Sequence, residues 1–205
     1  MLILKKFLVI SSFILVFLIS LSLLVNNKKK VIFSDYILTP INNNINLDTS
    51  FSNQNLTSDL LLEYLDYNAE NLKTKTKINN LIKKSKLIYI SVGMNDLLEY
   101  VSLDNGTLTY SSSLLTQKLA LLQYNVHEII SSILAIKEVE ISYLSLYYLN
   151  DLAFDELIKE YNEDIKDILD GMNVNFININ EVIKIENYTF TIQNQKELYE
   201  YLAWI

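Results

Sequence analysis

Cysteine and arginine are absent from this sequence, histidine and proline occur once each, and glycine three times. Without cysteine there are no disulfides, no thiolate metal ligands and no cysteine nucleophile. The lone histidine, His127, excludes His-rich zinc sites and leaves little room for imidazole acid–base catalysis. The residues therefore call for no metal and no cofactor. Scarce glycine and proline also remove the usual punctuation between elements.

All 17 basic residues are lysine, and they are unevenly spread. Lys5, Lys6, Lys28, Lys29 and Lys30 fall in the first 30 residues, which contain no acid. Residues 31–205 carry 12 lysines against 24 acids. A domain so acidic repels phosphate backbones, which argues against a nucleic-acid partner. Half the residues are apolar, enough for a sizeable core and too many for a disordered chain.

Phe7 to Val25 is 19 residues without a charge, flanked by lysines on both sides. At about 1.5 Å per residue this run nearly spans a bilayer's hydrocarbon core. A cleaved signal would have a shorter run and small residues at its cleavage site, whereas this one ends in Val25-Asn26-Asn27-Lys28. The sequence thus predicts an uncleaved transmembrane anchor within residues 1–30 and one domain over residues 31–205. The positive charges on the two flanks tie, so orientation rests on the habit of such early anchors to leave the amino terminus inside. The domain is then expected outside the cytoplasm.

Within 31–205, strand signals alternate with helix signals. Val31–Phe33 reads as a short buried strand, and Ile45–Leu47 as a very short second one. Thr57-Ser58-Asp59 can cap a helix, and residues 75–84 form another. Leu87–Val92 (LIYISV) is apolar and β-branched, the mark of a central parallel strand, and stops at Gly93-Met94-Asn95-Asp96. Asp104-Asn105-Gly106 signals a turn in a loop. A long helix over 113–136, a strand over 139–146, a helix over 151–169, a strand over 174–179 and a helix over 194–204 complete the chain. This alternation predicts a three-layer αβα sandwich on a flavodoxin-like parallel sheet of about five strands, in order 2-1-3-4-5.

The order strand, V-G-M-N-D, long helix, L-Y-Y, E-Y-N, final strand resembles the SGNH/GDSL hydrolases, chiefly their bacterial extracytoplasmic members. The resemblance spans Val31 to the carboxyl terminus. Its most specific piece is Ser91-Val92-Gly93-Met94-Asn95-Asp96, which matches that family's third block, G-x-N-D. Leu146-Tyr147-Tyr148 and Glu160-Tyr161-Asn162 follow at the expected places. The resemblance implies ester hydrolysis at the carboxyl ends of the strands. A G-D-S serine attacks, a histidine in a terminal D-x-x-H block takes its proton, and three donors hold the oxyanion.

Carried over residue by residue, the match is incomplete. Asn95 stands at the oxyanion-donor position and Gly93 at the turn. The first block reads Ser34-Asp35-Tyr36, with Tyr36 at the nucleophile position. Asn53-Gln54-Asn55, at the second block, has no glycine. Phe190-Thr191-Ile192-Gln193-Asn194, at the last block, has neither aspartate nor histidine. Ser34 also reads as a turn hydroxyl, Asn95-Asp96 as a turn and helix cap, Tyr36 as packing, and His127 as a helix-surface or satisfied interior residue. The expectation is a degenerate, pseudoenzyme-like member that binds an envelope glycan, lipid or protein in the family's cleft. Alternatives are an esterase or acyl-hydrolase using Ser34 with a base such as Asp35, and a structural partner in a membrane complex.

Overall fold

The computed structural model describes residues 30–35, 49–52, 55–66 and 70–204. The predicted anchor over 7–25, the strand expected at Ile45–Leu47, and Tyr36, Asn53 and Gln54 lie outside these residues.

Strand β3 (Leu87–Ser91) is buried at every position, as a strand covered on both faces must be. β1 (Lys30–Ser34) pairs with it on one side and β6 (Glu140–Leu144) on the other, both in parallel. β2 (Thr49–Ser52) extends the sheet beyond β1, and β7 (Asn175–Ile177) beyond β6. The resulting order, β2-β1-β3-β6-β7, is the predicted 2-1-3-4-5 arrangement with Leu87–Ser91 at its centre. β2 falls on residues that the sequence reading left unmarked. Its one large apolar residue, Phe51, packs edge-on to Phe33 and Tyr64.

Helices α1 (Ser58–Leu65), α2 (Leu72–Lys84) and α3 (Met94–Leu98) precede a two-stranded hairpin. The hairpin corrects a segment read above as loop: β4 (Val101–Asp104) and β5 (Thr107–Tyr110) are antiparallel. Its turn is Asn105-Gly106, with φ of 49° and 79°, where Asn and Gly tolerate the left-handed region best. Helix α4 (Ser112–Ile136) follows, then α5 (Leu152–Gly171) between β6 and β7, and α6 (Ile192–Trp204) after β7.

Right-handed crossovers put α1, α2, α4 and α5 on one face of the sheet. On that face α4 packs against α1, α2, α3 and α5. Among the described residues α4 is the one helix long and apolar enough to cross a membrane. It lies within the domain instead, burying Leu115, Leu122, Val126, Ile129, Ile130 and Ile133 in the core. α6 reaches back to β1, where the Lys30 ammonium donates to the Leu202 carbonyl at 3.3 Å.

Candidate functional site

Doubly wound sheets bind ligands outside the carboxyl ends of their strands. Here those ends are Ser34 of β1, Ser91 of β3, Leu144 of β6 and Ile177 of β7. Register sets Ser34 between Ser52 and Ser91. Ser34 and Asp35 are both buried. The Ser34 hydroxyl donates to the Asp35 carbonyl at 2.8 Å, and the Asp35 N–H donates to the Ser91 carbonyl at 3.0 Å. This is the turn bonding that the sequence allowed for Ser34.

The G-x-N-D turn is tightly built. Gly93 has φ of 126°, a region L side chains rarely adopt. A Cβ there would stand 2.7 Å from Leu122 Cδ2 and 2.9 Å from Leu146 Cδ2. Only glycine lets the chain leave β3 beneath α4. Asn95 is half-buried and its amide donates to the Leu56 carbonyl at 3.0 Å. Asp96 accepts the Ser58 N–H at 3.0 and 3.1 Å and the Ser58 hydroxyl at 2.5 Å. It thereby caps the amino terminus of α1, alongside Thr57, whose hydroxyl accepts from the Leu60 N–H.

Asn125, buried on α4, completes this cluster by donating to the Ser58 hydroxyl at 2.9 Å and to Asp59 at 2.7 Å. Sequence reasoning passed over Asn125 and read Ser58 only as part of a helix cap. The available signal was a polar residue at a core-facing position between Leu122 and Val126, which must find partners. Burial pushes the Asp96 carboxyl above its ordinary range, against the lowering effect of the two Ser58 hydrogen bonds.

Beneath the turn, the Tyr143 hydroxyl donates to the Val92 carbonyl at 3.0 Å and meets the Tyr161 hydroxyl at 3.2 Å. Burial drives both phenols upward, so they stay neutral. Asn162 clamps the Leu146 backbone with both ends of its amide, at 2.9 Å each. The L-Y-Y and E-Y-N motifs are thus joined in space.

The closing segment is built differently. Phe190 is buried, with its ring 5.1 Å from that of Tyr147. The Thr191 hydroxyl and N–H both donate to Asn194 Oδ1, at 2.8 and 3.0 Å, and Asn194 Nδ2 donates to the Lys184 carbonyl at 2.8 Å. These ties cap α6. His127 is exposed on α4 beside Glu128, its Nδ1 3.1 Å from the carboxylate. Three cavities of about 480, 530 and 850 Å³ have linings that include neither Ser34 nor Asn95.

Solved structures resemble this arrangement. TesA matches with a TM-score of 0.56 at 12% identity, over 85% of this chain and 96% of its own. A catalytic mutant of an acetylxylan esterase from Geobacillus stearothermophilus gives 0.55 at 12%, over 87% and 92%. A structure named as a lipolytic protein of the G-D-S-L family, from Desulfitobacterium hafniense, gives 0.55 at 14%, over 87% and 99%. The chain has an SGNH/GDSL hydrolase-like fold. No protein-family model matches it, and no curated protein matches it in sequence. Within the SGNH-like frame, Gly93, Asn95 and Asp96 form the turn after the central strand. Ser34 ends the first strand and Asp35 follows it, and Phe190 and Thr191 lead into the last helix, whose first turn holds Ile192 to Asn194.

Proposed function

We propose that this is a membrane-anchored SGNH-like protein whose domain binds a ligand at the carboxyl edge of its sheet and does not hydrolyse esters. The observation that carries this reading is the closing segment. An SGNH reaction needs a base there, and Phe190 packs on Tyr147 while Asn194 caps α6. The chain's single imidazole is exposed on α4. An amide near the end of β3 can hold a carbonyl or a sugar hydroxyl, but a donor without a base gives little turnover. The ligand class is an envelope glycan, lipid or protein segment bearing such groups.

The test is hydrolysis of p-nitrophenyl acetate by the wild type and by Ser34→Ala. Equal rates at the level of buffer are expected. Saturable turnover that vanishes in Ser34→Ala would overturn the reading and give Asp35 the part of the base. Anchoring through residues 7–25, with the domain outside the cytoplasm, belongs to the same proposal. Fractionation should leave the protein with membranes at alkaline pH, and protease added to intact cells should degrade the domain. A soluble mature form beginning beyond residue 25 would refute the anchor, and protection in intact cells would reverse the orientation.

A further inference from the structure

The sheet has a second end, opposite the candidate site. Lys30 of β1 stands in register with Leu87 of β3, and Leu87 with Glu140 of β6. The connections leading into these strands carry lysines. Lys83 and Lys84 close α2, Lys86 precedes β3, and Lys137 precedes β6. In a domain with twice as many acids as lysines, this end is the exception. Among the described residues the five lysines Lys30, Lys83, Lys84, Lys86 and Lys137 outnumber the four acids there, Glu138, Glu140, Asp170 and Glu200.

The patch is held in place. The Lys137 ammonium donates to the Lys83 carbonyl at 3.2 Å and to the Ser85 carbonyl, which ties the end of α4 to the end of α2. Lys83, Lys84 and Lys86 are exposed and make no ion pair among the described residues. The carboxyl end of α2 accounts for Lys83 and Lys84 and for Lys137, which donates to its last carbonyls, but not for Lys86. A cavity of about 850 Å³ opens beside them, lined in part by Ser85, Lys86, Lys137, Met172 and Asn173.

The apolar run Phe7–Val25 ends five residues before Lys30. Five residues reach at most about 18 Å. We propose that this amino-terminal edge of the sheet docks on anionic lipid headgroups and sets the domain upright on the bilayer, with Ser34 and Asn95 turned away from it. The geometry rests on the anchor proposed above. The lysines are drawn to headgroup phosphates within a Debye length, and the same surface repels the acidic remainder of the domain, so one orientation is selected.

The absence of cysteine permits single labels. Full-length protein carrying a fluorophore at Asn175→Cys, on the amino-terminal edge, or at Glu186→Cys, beyond β7, is placed in vesicles containing a headgroup-linked quencher. With phosphatidylglycerol present, quenching at Asn175→Cys should exceed that at Glu186→Cys. In phosphatidylcholine alone the difference should collapse. Replacing Lys83, Lys84 and Lys86 by Gln should lower the docked-to-undocked ratio on the order of 100-fold, about fivefold per lysine. Replacing the same three by Arg should preserve it. Equal quenching at both positions, or the same difference in both lipids, overturns the proposal. Failure of the anchor is read separately, as failure to float with phosphatidylcholine vesicles. Docking is then judged by flotation with anionic vesicles: dependence on the three lysines supports it, and no flotation overturns it.

Discussion

The turn after the central strand and the segment before the last helix stand where the third-block match is present and the last-block match is missing, and this protein builds them differently. In the turn, Gly93, Asn95 and Asp96 match the family block, and each has a structural task. Gly93 clears Leu122 and Leu146, Asn95 holds the Leu56 carbonyl, and Asp96 caps α1. In the closing segment the block is absent, and Phe190 and Asn194 serve packing and capping. A motif whose atoms also tie a helix to the sheet can persist whether or not the site turns over. A base whose only task is proton transfer has no such second support.

This contrast can be broken by substitution. The largest effect is expected at Gly93→Ala, where left-handed strain and overpacking combine to cost about 4 kcal/mol in urea unfolding. A loss below about 1 kcal/mol would mean that the turn is not built as described. Phe190→Ala should cost about 3 kcal/mol by removing a buried ring from Tyr147. If Phe190 instead acts as a movable cover, the variant would keep its stability and bind a carbonyl ligand more tightly.

Asp96→Asn should cost about 2 kcal/mol, since one of the two oxygens that accept from Ser58 becomes an NH2 group facing the same donors. It also carries a pH signature. Because burial raises Asp96 from its ordinary 3.8, the folded state holds the proton more tightly than the unfolded chain does. Its contribution is full at low pH and is lost as pH rises through 3.8 to the raised value. The Asn variant should lack this fall, and unfolding curves measured across that window check it. Asn194→Ala should cost about 1 kcal/mol, the usual worth of a helix cap, without altering any hydrolytic rate. His127→Ala should change stability by no more than about 0.5 kcal/mol, as for an exposed residue, and leave ester hydrolysis at its background level.

How much of this was legible follows from where burial is complete. LIYIS announces itself because all five residues face apolar layers. The cap at Thr57 and the helix start at 151 are local events, and the structure places helix starts at both. Thr49–Ser52 was missed because an edge strand needs only Phe51 to pack. The hairpin over 101–110 was missed because Asp104-Asn105-Gly106 was read as loop, although Val101, Leu103, Leu108 and Tyr110 alternate with Ser102, Asp104, Thr107 and Thr109 on its flanks. Tyr36 and the run over 7–25 lie outside the described residues.

The sequence by itself determined the alternation of elements, the central strand, the third-block turn and the lack of a histidine in the closing segment. These follow from residue type and short-range spacing. Only the tertiary structure decided what the turn does. Asp96 finds Ser58 38 positions away, Asn125 reaches Ser58 across 67, and Asn162 clamps Leu146 from the next helix. Such pairs are set by the crossover of parallel strands, which brings distant segments to one edge of the sheet, and no local pattern encodes them.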